Sequence, residues 1–252
     1  MSINPVSEAG FGGDMSVYER GRPSYPADAV AWLVDGLGIR PGCDVVDLGA
    51  GTGKFTRLLV PTGARLSAVE PSEAMREQFA RAVPGVSILD GTAMALPLAD
   101  ASVDVVTVAQ AFHWFDVAAA TTELARVLRP GGGVGLIWNE RDASVPWVRE
   151  LNAIFGWDKR ERQGVPFTVE VDWRDVFEQQ AHPRLKKLER FVTTYRQKLD
   201  VDTLVLRVLS TSYLASASKE EQARVDTAVR ALVREFPAEF ELPCVTMAYR
   251  SL

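Results

Sequence analysis

Cysteine and histidine are scarce in this 252-residue chain, two of each. Cys43 and Cys244 lie far apart in sequence. Two thiols and two scattered imidazoles can build neither a disulfide framework nor a metal cluster, so no zinc is expected and both cysteines read as buried or half-buried thiols. Long apolar runs are missing too: no stretch approaches the ~20 residues of a membrane-spanning helix. The N-terminus lacks the basic and apolar regions of a signal peptide, and a soluble, cytoplasmic protein is expected. A basic face is also lacking. The formal net charge of -5 and pI near 5.2 argue against broad nucleic-acid binding. The short run Arg184-Leu185-Lys186-Lys187 reads as a solvated strand edge. Neither an internal repeat nor a low-complexity segment interrupts the chain, and 47% hydrophobic residues suffice for one domain with a large core.

What is present is a buried strand that breaks into glycines ahead of a helix: Val45-Val46-Asp47-Leu48-Gly49-Ala50-Gly51-Thr52-Gly53-Lys54-Phe55-Thr56. Glycine tolerates positive φ and carries no side chain, so a ligand can lie against the backbone where helix-start amides lack partners. The dinucleotide fingerprint would need a third glycine where Lys54 stands, which disfavours an NAD-dependent oxidoreductase. Asp47 can serve a cationic amine and sulfonium but would repel a pyrophosphate, so the turn favours S-adenosylmethionine. A second strand, Leu66 to Val69, ends at Glu70, about 20 residues on, where an acid can accept both ribose hydroxyls.

At this point the chain resembles the class I S-adenosylmethionine-dependent methyltransferases. Asp90-Gly91-Thr92-Ala93 with Leu96-Pro97 is similar to that family's adenine-holding segment, Val103 to Val108 to its fourth strand, and Leu128-Arg129-Pro130-Gly131-Gly132 to the loop before its fifth. Two further motifs, Tyr18-Glu19-Arg20-Gly21-Arg22-Pro23-Ser24-Tyr25-Pro26 and Ala109-Gln110-Ala111-Phe112-His113-Trp114-Phe115-Asp116, resemble the branch containing the trans-aconitate methyltransferases, which methylate carboxylates and other small acceptors. The family often has an acid where Thr92 stands, so the adenine-amino contact passes to Thr92, to Asp90 or to water.

The resemblance implies an α/β, Rossmann-like, doubly wound and mostly parallel sheet with an antiparallel last strand and helical insertions covering the active-site cleft. It implies one methyltransferase domain over 1–252: an N-terminal lid at 1–26, a cofactor-binding core at 27–138, and substrate-cover insertions with closing strands at 139–252. Val30, Leu33, Val34 and Leu37 fall at helical spacing, and Ser72, Asp116 and Ser218 are placed to cap helices, the last in a capping box with Glu221. Trp147, Phe155, Trp157, Phe167, Trp173 and Phe177 read as helices and loops over the cleft. Further strands are expected at Leu185 to Val192 and Val245 to Tyr249.

The expected cofactor contacts are Tyr18, Arg22, Asp47, Gly49, Gly51, Gly53, Glu70, Met75, Thr92, Ala93 and Gln110. Those expected to face the acceptor are Tyr25, His113, Trp114, Trp138 and Arg141. His113 can take a proton from a hydroxyl, phenol or amine acceptor, can orient a carboxylate, or can pack among its aromatic neighbours. Arg141 can grip a carboxylate with two hydrogen bonds or pair with Glu140 or Asp142. The expected activity is methyl transfer from S-adenosylmethionine to a small-molecule acceptor, most readily O-methylation of a carboxylate or hydroxyl, with S-adenosylhomocysteine as product. The alternative is a noncatalytic S-adenosylmethionine-binding regulator.

Overall fold

The structure, a computed structural model, describes residues 22–156, 173–185, 188–215 and 217–251. Tyr18, Trp157, Phe167, Lys186 and Lys187 lie outside them. Among the described residues, 24–139, 173–193 and 246–251 form one compact unit, and 22–23, 140–156 and 194–245 form a second.

The first unit alternates strand and helix. Helix α1 spans Ala27–Gly36, β1 Asp44–Leu48, α2 Thr56–Leu59, β2 Arg65–Val69, α3 Glu73–Ala82, β3 Ser87–Leu89 and β4 Val103–Ala109. A 3-10 turn at Phe112–Trp114 precedes α4 at Val117–Val127, and β5 runs Leu128–Arg141. Strands β3-β2-β1-β4-β5 lie side by side in parallel. Neighbouring residues such as Val45 and Val46 are both buried, the mark of a sheet covered on two faces. One face packs Ala29, Leu33 and Leu37 of the α1 segment and Leu59 of α2 onto Val45, Val105 and Ile137.

The second unit is a helical cluster. Helix α5 (Pro146–Ile154), α7 (Val201–Leu209), the short α8 (Ser212–Ala215) and α9 (Lys219–Leu232) bury Leu151, Leu204, Val208, Val225 and Val229 against one another. Helix α6 (Trp173–Gln180) belongs to the first unit. Strands β6 (Glu189–Leu199) and β7 (Phe240–Ser251) complete the seven-stranded order β3-β2-β1-β4-β5-β7-β6, with β7 antiparallel.

Several local expectations are met and others are corrected. Asp116 accepts from Ala119 N–H, and Ser218 accepts from Glu221 N–H. Ser72 makes no side-chain cap; its N–H is instead drawn to Glu70 Oε1 at 3.0 Å. Leu128 to Gly132 is no separate loop, because Leu128 already pairs with Val103 and the irregularity sits inside the β5 ladder. The late strand starts at Glu189, and Arg184 lies in the turn before it, donating to Ala125 O at 2.7 Å. Cys43 and Cys244 are free thiols. No helix among the described residues is long and apolar enough to cross a membrane.

Asp47, at the end of β1, is only 1% exposed. Its carboxylate accepts from Thr56 Oγ1 at 2.5 Å and from Thr107 Oγ1 at 3.2 Å, tying β1 to α2 and β4. Burial pushes its pKa up from 3.8 to about 6 despite the two hydroxyls, with Glu70 adding to the rise. A folded-state value above the unfolded one means that this group's stabilisation is complete below about pH 4 and is lost as pH rises through about 6. Asp47→Asn, which does not titrate, is expected to flatten that decline and to gain on wild type by up to about 3 kcal/mol above pH 6. Thermal unfolding across this range checks it; an unchanged slope contradicts it.

Candidate active site

The three glycines of the turn all have positive φ, +68° at Gly49, +55° at Gly51 and +80° at Gly53, but they meet different surroundings. A Cβ on Gly49 would stand 2.8 Å from the Ala111 Cβ, and one on Gly53 2.5 Å from Val83 Cγ2 and 2.8 Å from Phe79. A Cβ on Gly51 would meet nothing within 4 Å. The outer two positions are therefore demanded by packing, while the middle one faces open space where a ligand can approach the backbone.

Glu70 joins this turn to the end of β2. Its Oε2 accepts from Gly51 N–H and its Oε1 from Ser72 N–H, each at 3.0 Å. Burial raises its pKa, opposed by those two amides and by the Arg76 guanidinium. Each carboxylate oxygen keeps a second lone pair, so the pinned acid can still accept two hydroxyls. Arg76 in turn donates to Glu70 O, Pro71 O and Asp90 Oδ1 at 2.9, 2.7 and 3.0 Å. The ion pair with exposed Asp90 contributes little; the two carbonyl bonds fix the path of the chain.

Thr92 and Ala95 close a tight turn with reciprocal backbone hydrogen bonds, and Ala93 is buried within it. The following residues are fastened to α4. Leu96 N–H donates to Glu123 Oε2, and Arg126 donates to Leu96 O and Leu98 O while pairing with Glu123 at 2.7 Å. Met75 is buried at 2% exposure on α3.

Beyond β4 the backbone is strained. Gln110 adopts φ of +57°, uncommon for a residue with a Cβ and a frequent sign of a functional turn. Its N–H donates to Ile137 O and its side-chain amide to Asn139 O, at 2.9 and 2.8 Å. Asn139, 5% exposed, also donates to Ser24 O at 3.0 Å and accepts from Thr246 Oγ1 at 2.6 Å. Asn139 thus gathers the N-terminal segment and β7 through its side-chain amide and the β4 exit through its backbone carbonyl. Tyr25 packs edge-on against Phe55.

His113 follows on the 3-10 turn, half-buried, with its ring 4.9 Å from that of Trp114. Its Nδ1 accepts from Trp138 Nε1–H at 3.2 Å. Trp138 is fully buried and stacks on Trp173 at 5.2 Å, while Phe112 meets Trp173 edge-on.

In the second unit, Arg22 donates to Ser210 O. Arg141, 7% exposed, donates from Nε to Asn152 Oδ1 at 2.8 Å and lies over the Phe155 ring at 4.6 Å. Asn152 and Phe155 thus both hold the Arg141 guanidinium in place. Asp47 likewise spends its carboxylate on two threonines beneath the turn instead of presenting it at the surface.

Residues 46–135 match the methyltransferase domain family. Over 246 residues the chain is 40% identical to an uncharacterized methyltransferase, Rv3342, of Mycobacterium tuberculosis, covering 96% of this chain and 94% of the relative. A shorter stretch of 100 residues is 44% identical to the malonyl-[acyl-carrier protein] O-methyltransferase of Methylococcus capsulatus, 36% of each chain. Among solved structures, a candidate type II methyltransferase from Anaeromyxobacter dehalogenans superposes with a TM-score of 0.61 at 26% identity, over 91% of this chain and 96% of that one. The chain belongs to the class I S-adenosylmethionine-dependent methyltransferases.

S-adenosylmethionine is accordingly the cofactor of this methyltransferase. Its features find matching groups here: open space over Gly51 for close approach to the backbone, and the free lone pairs of Glu70 for paired hydroxyls. Sequence reasoning missed Arg76, Glu123, Arg126 and Asn139. Glu123, Arg126 and Asn139 bind chain that is remote in sequence, which no local spacing signals, whereas Arg76 grips carbonyls only five and six residues before it.

The glycines give a paired prediction for the methyltransferase. Both Gly51→Ala and Gly53→Ala incur the positive-φ penalty of roughly 1–2 kcal/mol. Only Gly53→Ala adds a collision, with Val83 and Phe79, so it is expected to lose clearly more thermal stability. Gly51→Ala is expected to fold and to bind S-adenosylmethionine at least about tenfold more weakly, a loss near 1.4 kcal/mol. Equal unfolding temperatures, or undiminished binding by Gly51→Ala, contradict this division of roles.

Proposed function

We propose that this methyltransferase transfers the methyl group to an oxygen of a small molecule, a carboxylate in the first place and a hydroxyl in the second, as in the trans-aconitate methyltransferase-like branch. The observation that carries the reading is His113, held by Trp138 directly after the strained Gln110 at the carboxyl end of β4. Ligands of open α/β sheets bind beyond these strand ends. The O-methyltransferase named for the Methylococcus relative adds support for ester formation.

When bound, the cofactor supplies a methyl group already made electrophilic by its sulfonium. The chain's own work is to bind, orient and exclude water. In this reading Glu70 and the Gly51 backbone hold the nucleoside end, the fastened segment at Thr92 and Ala93 borders the base, and Gln110 braces the β4 exit. Tyr25, His113 and Trp114 face the acceptor, while Trp138, expected there from the sequence, is fully buried and stands behind His113. Positioning of this kind supplies up to roughly 7–11 kcal/mol in ideal cases.

A small carboxylic acid is already ionised at neutral pH, so its methylation needs no base. A panel of small acids, phenols and amines, followed by release of S-adenosylhomocysteine, is expected to give turnover with one or more acids, at a rate nearly constant between about pH 6 and 8. Turnover confined to amines contradicts the proposal. So does an acid-substrate rate that climbs about tenfold per pH unit, the mark of an acceptor that must lose a proton.

A further inference from the structure

Asn139 stands near the carboxyl end of β5 and touches two segments that border the site. Its side-chain Nδ2–H donates to Ser24 O at 3.0 Å, and its backbone carbonyl accepts from the Gln110 side-chain amide at 2.8 Å. A carbonyl oxygen only accepts, so the Asn139 amide has one admissible orientation: nitrogen toward Ser24, oxygen toward Thr246 Oγ1 at 2.6 Å. Turned over, it would set two oxygens against each other at Ser24. Tyr25, the next residue, lies edge-on against Phe55, just beyond the glycine turn. Gln110 carries the positive φ that leads the chain from β4 toward His113. The two bonds of the Asn139 side chain differ in kind. Thr246 and Asn139 are both buried, and leaving either without its partner is costly. Ser24 is exposed, so its carbonyl, once released, turns to water at little cost. The first bond supports the fold; the second fixes where a surface segment lies.

We propose that Asn139 is a positioning residue whose side chain sets where Tyr25 stands relative to the β4 exit, and so shapes the acceptor side of the site. This deepens the proposed function and rests on its reading that Tyr25 faces the acceptor. Gln110 is held by the Asn139 backbone and Ser24 by the Asn139 side chain, so losing the side chain's donor frees one border while the other stays in place. The cofactor turn is independent of both, because the Glu70 carboxylate and the packing around Gly49 and Gly53 hold it. Release of Ser24 therefore weakens acceptor binding and leaves S-adenosylmethionine binding intact.

Two variants separate positioning from support. Thr246→Val removes the bond on the far side of the amide and strands Asn139 Oδ1. It is expected to lower the unfolding temperature while keeping KM for an acid acceptor within about twofold of wild type. Asn139→Leu combined with Thr246→Val replaces both buried partners by apolar groups of similar shape, an exchange nearly neutral for stability, yet it also removes the donor to Ser24. The double variant is expected to recover the unfolding temperature and still to raise acceptor KM about tenfold, as for loss of one oriented hydrogen bond, with kcat and KM for S-adenosylmethionine within about twofold. Hydrogen exchange read by mass spectrometry is expected to quicken over residues 24–30 in the double variant and not in Thr246→Val. In the wild-type protein, NMR of side-chain amides is expected to show slow solvent exchange at Asn139 Nδ2, a measurement that needs no variant. Rapid exchange there overturns the proposal. So does an acceptor KM that follows the unfolding temperature, rising in Thr246→Val and recovering in the double variant, or one that stays unchanged in a folded double variant. If no acid is turned over, the O-methylation reading fails by itself; the exchange measurements need no acceptor, and KM is then read with the acceptor class that the panel supplies.

Discussion

The hydrogen bond from Gly51 N–H to the Glu70 carboxylate is the contact on which the cofactor half of the site depends. It joins the loops leaving two parallel strands whose ends the register sets level, with Leu48 opposite Val69. Gly49 and Ala50 N–H reinforce the junction by donating to Val69 O. Glu70 is buried and would be costly to ionise there without the amides of Gly51 and Ser72. Those same amides fix its oxygens in one orientation. The acid and the open face above Gly51 are thus two consequences of one arrangement.

The acceptor half is organised by a different kind of residue. Asn139 and Trp138 are adjacent in β5, and strand alternation sends their side chains to opposite faces. Asn139 binds Ser24 and Thr246, and its carbonyl receives the Gln110 amide. Trp138 reaches His113. The strand therefore fixes both what precedes His113, through the strained Gln110, and how the imidazole is held. Strain of this sort persists only where surrounding contacts over-determine it, and three separate partners of Asn139 provide that surplus.

Much of the cofactor half was legible in the sequence because it is local. A strand, glycines and an acid about 20 residues on report backbone requirements that only certain residue types satisfy. Caps at Asp116 and Ser218 were equally readable, since each acts within three residues. Ser72 stands at the expected N-cap position, but its side chain makes no cap bond. Asp47 has the residue type suited to a cationic ligand, but Thr56 and Thr107 draw its oxygens inward, and Thr107 lies on another strand. The partners of Asn139 and Trp138 are tertiary. Sequence reading could place His113 near the chemistry, yet the indole that bonds it lies on the neighbouring strand.

The most direct test of the central claim, that Glu70 and the glycine turn hold S-adenosylmethionine, is calorimetric titration of wild-type protein and Glu70→Ala with the cofactor. The account predicts tight, one-to-one binding by the wild-type chain. It predicts a loss of roughly 1.5–3 kcal/mol in the variant, the worth of hydrogen bonds to a charged group, with the fold retained by circular dichroism. Equal affinity of the two folded proteins would contradict it.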